Sequence, residues 1–152
     1  KMLLVPLKNS EALEKVRVNA EQWNDIISKN DIRAVYMFTE KTGEELRDSA
    51  DVLSGASGER KPNYSARMFA PELGVPEDPA TGSAAAFLAS YLSVYDPEIA
   101  EKKNGKVSRI IEQGVRMKRP SELAIQIHKT DGLTGIQVGG RAVLVSCGSM
   151  FI

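Results

Sequence analysis

Pro79-Ala80-Thr81-Gly82-Ser83-Ala84-Ala85-Ala86-Phe87-Leu88-Ala89-Ser90-Tyr91-Leu92-Ser93-Val94-Tyr95 contains no charged side chain. Within it Ala84, Phe87, Leu88, Tyr91 and Leu92 recur at i, i+3, i+4, i+7 and i+8, the spacing of one helix face. Ala85, Ala86 and Ala89 occupy the other faces. A helix apolar nearly all round is normally buried on all sides, so the expectation is a central helix enclosed by sheet. The segments around it have to supply that sheet.

C-terminal to the helix, strand follows strand: 107–113, 123–129, 136–138 and 141–145, with Gly139-Gly140 predicted as a two-residue hairpin turn. At the other end, residues 2–7 are continuously apolar and read as a strand buried on both faces. Asn9 or Ser10 then caps a short helix carrying Leu13 and Val16. A second helix starts at Asn19, with Gln22 completing a capping-box pattern and Trp23, Ile26 and Ile27 as its inner face. Residues 32–39, rich in β-branched and aromatic types, predict another strand. Thr42 with Glu45 is placed to cap a short helix through Leu46, Ala50 and Leu53, and 55–62 reads as a surface loop. A brief strand at 66–70 precedes 71–79, too rich in Pro and Gly for regular structure. The fold class expected is α+β: a curled mixed β-sheet, a roll or barrel, around one buried helix.

Composition excludes several functions. The 152 residues fit one domain, with 42% hydrophobic and 26% charged residues. Lys+Arg and Asp+Glu both number 20, so net charge offers no case for nucleic acid or an anionic membrane as partner. No apolar run reaches the roughly 20 residues that span a bilayer. One cysteine, Cys147, forms no internal disulfide, and the cytosol is the expected compartment. Lys1 opens directly onto an apolar segment, as though a longer polypeptide had been cut there. With one histidine and one cysteine there is no metal-ligand cluster, and no glycine spacing implies a nucleotide cofactor.

Chemistry concentrates in Arg67-Met68-Phe69-Ala70-Pro71-Glu72-Leu73-Gly74-Val75-Pro76-Glu77-Asp78-Pro79-Ala80-Thr81-Gly82-Ser83-Ala84, which brings two carboxylates to the start of the apolar helix. The first N–H groups of a helix lack intrahelical partners, and the macrodipole adds partial positive charge there. If the helix begins at Gly82-Ser83, the missing side chain of Gly82 lets an anion approach the backbone, and Ser83 adds a hydroxyl. A substrate carboxylate suits that place. The alternative is purely structural: Asp78 caps a helix with Pro79 at its first position, and Gly82 lies in the interior at a cost of about 1 kcal/mol.

The same string, above all Glu77 to Ala84, resembles the signature of the phenazine-biosynthesis-like (PhzF-like) isomerase family. Gln113-Gly114, Arg119-Pro120-Ser121 and Val138-Gly139-Gly140-Arg141-Ala142-Val143 are weaker matches. The resemblance implies one lobe of a diaminopimelate epimerase-like two-lobe fold, the active site lying between lobes. Residues 1–152 would be the carboxy-terminal lobe, without its amino-terminal partner. It implies an isomerase moving a proton on a small carboxylate-bearing metabolite with no cofactor. Asp78 and Ser83 would be catalytic, and Asp78, Thr81, Gly82 and Ser83 would bind substrate. The family's acid/base glutamate and its histidine belong to the other lobe, so this chain alone would be inactive.

A further departure bears on the chemistry. Epimerase and racemase relatives carry a cysteine where this sequence has Thr81, so two-thiol racemisation is not expected. Cys147 reads as a packing residue on the face of Val143 and Val145, and His128 as a strand residue on the wetter face. Arg116, Lys118 and Arg119 read as a solvated basic turn. The rival readings are a lobe that binds an anion or metabolite without chemistry, and an oligomerisation lobe pairing through strand edges, homodimer included.

Overall fold

The computed structural model describes residues 1–42 and 62–150. Their strands are β1 (Met2–Pro6), β2 (Ala34–Glu40), β3 (Tyr64–Ala70), β4 (Val75–Asp78), β5 (Gly105–Gln113), β6 (Ser121–Thr130) and β7 (Leu133–Gly140). The helices are α1 (Ser10–Lys15), α2 (Ala20–Gln22), α3 (Gly82–Tyr95) and α4 (Pro97–Ala100). The helix expected from Thr42 onward and the loop at 55–62 lie, up to residue 61, outside the described residues.

Strand order is β1-β2-β3-β5-β6-β7, with β4 on β3. The sheet is mixed: β1–β2 and β3–β5 are parallel and the remaining pairs antiparallel. Helix α3 touches β1 at one end of the order and β6 and β7 at the other, so the sheet curls about it as a half-barrel. The α+β class and the curled mixed sheet agree with expectation.

β3 changes partner along its length. Tyr64, Ser65 and Ala66 pair with Ile111, Glu112 and Gln113 of β5, while Met68 and Ala70 pair with Asp78 and Val75 of β4, with a register shift between them. β2 backs the strand throughout. This fork lets the end of β5 and the end of β4 converge.

Helix α3 is covered on one face, not on all sides. Ala84, Ala85, Leu88, Ala89, Leu92 and Ser93 are buried, in two rows at i, i+4 spacing, whereas Phe87 is 54% and Tyr95 67% exposed. Small alanines on the covered face let the sheet approach closely, and the bulky Phe87 stays outside. The core holds Tyr36, Phe38, Tyr64, Leu88, Ile99, Ile111, Ile125 and Ile127. A second cluster, Trp23, Val35 and Phe69, lies under the helical stretch between β1 and β2.

Local signals placed the caps correctly. Asn9 Oδ1 accepts from Ala12 N–H at 2.9 Å, and Asn19 Oδ1 from Gln22 N–H at 3.0 Å. After α2 the backbone widens into a π turn at Trp23–Ile27, which takes the following residues off the 3.6-residue period. Trp23 stays buried and Ile26 is 61% exposed, contrary to expectation. β1 is an edge strand and only half-buried rather than covered on both faces; Pro6 is tolerated there because one edge needs no donor.

Three further expectations are corrected. Residues 71–79 contain regular structure, a 3₁₀ turn at Pro71–Leu73 and β4. Gly139 and Gly140 are not a turn: they pair with Ala124 and Leu123 at the end of β7. The hairpin turns at Asp131-Gly132, both with positive φ (48° and 84°), as a tight two-residue connection needs. Residues 141–150 form no strand, so Cys147 is exposed rather than packed, alongside exposed Val143, Leu144 and Val145. Among the described residues no helix is long and apolar enough to cross a membrane.

Candidate active site

Asp78 is the last residue of β4, and α3 starts four positions on, at Gly82. Thr81 is its N-cap, with extended backbone (φ −111°, ψ 95°), and its carbonyl accepts the first helical bond from Ala85 N–H at 3.0 Å. The structural alternative, a helix running from Pro79 with Gly82 inside, is therefore not what forms. No side chain caps the α3 start. The N–H groups of Gly82, Ser83 and Ala84 come before that first bond, where an α-helix has no internal acceptors for them. Gly82 and Ser83 are exposed, and a Cβ built on Gly82 would meet nothing within 4 Å. The helix start is open to solvent beside a carboxylate.

The carboxylate is held from within. Asp78 Oδ2 accepts from the Thr81 hydroxyl at 2.6 Å, and Oδ1 from Ala80 N–H at 3.4 Å. Thr81 itself is buried, so it orients Asp78 instead of meeting a ligand with its side chain. Of the four residues singled out in the sequence, Asp78, Thr81, Gly82 and Ser83, all lie together at this helix start. Two have open surface, and Asp78 is half-buried between them and β3.

Sequence reasoning missed what stands behind them. Gln113, at the end of β5, is fully buried and reaches across the fork. Its Nε2 lies 2.6 Å from the Asp78 carbonyl and 3.0 Å from Thr81 Oγ1; its Oε1 lies 3.2 Å from Tyr36 OH and 3.4 Å from Thr81 N. Tyr36 is likewise fully buried, which pushes its phenol well above the ordinary tyrosine range. The signal for Gln113 was the Gln113-Gly114 pair. At Gly114, with φ +80°, an added Cβ would lie 2.3 Å from the Arg119 carbonyl oxygen and 2.8 Å from that of Pro79. Only glycine lets β5 end so close to the Asp78-Pro79 backbone.

The neighbouring charged groups have structural employment. Glu77 receives Arg67 through two hydrogen bonds, and Arg67 also donates to the carbonyls of Leu13 and Val16 at the end of α1. Lys41 and Glu112 form another buried pair, 2.6 Å apart, beside the β3–β5 ladder. His128 pairs with Lys106 near the opposite end of β5 from Gln113, seven residues and about 20 Å away. Its Nε2 lies 3.3 Å from Gln137 Oε1, on the half-buried face. Arg116, Lys118 and Arg119 are exposed on the turn after β5. Among the described residues no three His, Cys, Asp or Glu side chains gather as a metal site requires.

Known proteins resemble this chain along its whole length. The sequence model of the family described as "Phenazine biosynthesis-like protein" matches residues 1–148. An uncharacterized isomerase of Mesorhizobium japonicum is 29% identical over 97% of this chain and 44% of its own length. An uncharacterized isomerase of Pasteurella multocida is 27% identical over the entire chain and 42% of its own length. The trans-2,3-dihydro-3-hydroxyanthranilate isomerase of Pseudomonas chlororaphis is 36% identical over 59% of this chain and 31% of its own. In structure, a Bacillus anthracis phenazine biosynthesis protein of the PhzF family aligns over 89% of this chain and 40% of that one, with a TM-score of 0.67 at 19% identity. The chain spans less than half the length of each of these proteins.

Proposed function

This chain belongs to the phenazine biosynthesis-like family, and from that membership we propose that it is one lobe of an isomerase that moves a proton on a small carboxylate-bearing metabolite without a cofactor. One observation carries the reading: α3 starts uncapped at exposed Gly82-Ser83, beside a carboxylate whose one oxygen is held by Thr81. The open amides and positive dipole end suit the substrate's carboxylate, and the Ser83 hydroxyl can add a donor. Asp78 is then positioned to orient or relay the proton. Isomerase-named relatives agree with this class of reaction.

A second lobe completes the site in this proposal, supplies the principal acid/base, and makes the present lobe inactive alone. Support comes from the coverage, 44% of the first relative, and from the apolar segment at 141–150, with Val143, Leu144 and Val145 at least 84% exposed. Such a segment favours contact with further polypeptide. That contact would be with the other lobe of an epimerase-like pair.

The test uses the full-length protein with trans-2,3-dihydro-3-hydroxyanthranilate, the compound named for the Pseudomonas relative, as first probe and other cyclic carboxylates after it. Asp78→Ala and Ser83→Ala are expected to lower kcat/KM by well over tenfold each. If both stay within about threefold of wild type, about 0.7 kcal/mol of transition-state stabilisation, the site has been misread.

A further inference from the structure

We propose that Gln113 is a positioning residue of this site: its amide decides which way the Thr81 hydroxyl points its proton, and so keeps that proton on Asp78. The inference rests on the reading of Asp78 as a working carboxylate. Two backbone groups fix the amide. The Asp78 carbonyl can only accept, and it faces Nε2 at 2.6 Å; the Thr81 N–H can only donate, and it faces Oε1 at 3.4 Å. A flipped amide would set two acceptors against each other and two donors against each other.

The rest follows by counting protons. The second Nε2 hydrogen goes to Thr81 Oγ1 at 3.0 Å, so that oxygen is an acceptor there. The hydroxyl has one hydrogen left to give, and Asp78 Oδ2 receives it at 2.6 Å. Oε1 holds only lone pairs, so Tyr36 must be the donor in their 3.2 Å contact. Both donors and both acceptor sites of Gln113 are thereby used. Donation runs one way, from Tyr36 to Gln113 to Thr81 to Asp78, through residues that are buried up to the carboxylate.

The direction has a consequence at the substrate side. Oδ2 is occupied by a donor that cannot turn toward Gln113, because Nε2 there is itself a donor, and that has no other acceptor among its hydrogen-bond partners. Oδ1, whose one protein donor among the described residues is Ala80 N–H at 3.4 Å, keeps the spare acceptor capacity. Gln113 thus selects the oxygen of Asp78 that meets the substrate, although it never touches substrate itself.

The test reads the proton directly, in full-length protein, by NMR of the Thr81 hydroxyl hydrogen and the Gln113 side-chain amide. In wild type the hydroxyl hydrogen should be protected from exchange and correlate through the hydrogen bond with the Asp78 carboxyl carbon. A correlation with the Gln113 side-chain carbonyl carbon instead would overturn the proposal, and this reading needs no variant. Gln113→Glu keeps the shape and removes both donors; the Thr81 hydrogen should then turn toward position 113, with kcat reduced about tenfold or more and KM changed less than threefold. Activity should recover as pH falls and the new carboxyl becomes a donor. A folded Gln113→Glu protein with the Asp78 correlation intact and a wild-type pH profile would refute the positioning role. Asp78→Asn separates the two readings: if it leaves turnover unchanged while the proton direction is as stated, the catalytic assignment fails and the positioning geometry stands.

Discussion

Arg67 and Glu77 meet in a two-pronged ion pair, Nε to Oε1 at 2.9 Å and Nη2 to Oε2 at 2.8 Å, with the guanidinium stacked 4.8 Å from the centre of the Phe69 ring. The same guanidinium holds the last carbonyls of α1. One side chain therefore ties α1, β3 and β4, and sets the height at which β4 delivers Asp78. Glu77 is next to Asp78 in sequence and yet belongs to the scaffold.

Arg67→Met should accordingly destabilise the fold by about 3–5 kcal/mol, because Glu77 loses its ion-pair partner in a poorly solvated place and the Leu13 and Val16 carbonyls each lose one of their donors. Glu77→Gln should cost less, since a neutral amide can still accept one hydrogen bond from Arg67. Denaturant unfolding of the two single variants and the double variant checks this. Additive losses would show that the pair is not coupled.

Gly82 and Gly114 should respond oppositely to alanine. At Gly82 a methyl group meets nothing within 4 Å, so Gly82→Ala should be neutral to stability or improve it by up to about 1 kcal/mol. It should nonetheless raise KM, since the methyl group stands where an anion approaches the helix start. Gly114→Ala forces a side chain into left-handed backbone and against the Pro79 and Arg119 carbonyls, and should cost at least about 2 kcal/mol. Thermal unfolding with steady-state kinetics separates the two. Equal stability losses would contradict the described loop.

Tyr64 gives the fold a sensitivity to alkali. Burial, with the carboxylates of Glu40 and Asp96, pushes its phenol up to about 12 from 10.0, against a smaller opposing effect of Arg109. The folded chain thus holds the proton more tightly than the unfolded one. The stability linked to it is complete below about pH 10 and is lost as pH rises through about 12. Tyr64→Phe should flatten the fall in unfolding midpoint across that window. An unchanged slope would remove Tyr64 from the account.

Features set by adjacent residues were legible in the sequence. Asn9 and Asn19 cap through contacts three residues long, and β3, β5 and β6 announce themselves by composition. The four residues at the α3 start were legible because the motif is contiguous. Gly139-Gly140 misled because two glycines signal a turn as strongly as Asp131-Gly132 does, and the strand register that decides between them is a property of β6. Phe87 was misplaced because periodicity gives a face but not its orientation to the sheet, and Ile26 because the π turn breaks the period itself. Gln113 and Tyr36 lie 77 positions apart, and nothing local ties either to Asp78. Only the parallel β3–β5 pairing brings Gln113 to the loop.

That forked strand also sets the order in which the molecule becomes competent. Parallel pairing of β3 with β5 joins segments separated by β4, α3 and α4, and closing so distant a contact is slow to nucleate. A nascent chain that has made only its hairpins would have Asp78 and the α3 start, but no buried amide behind them. Recognition would wait for that long-range junction, so ligand capture would serve as a check that it had closed.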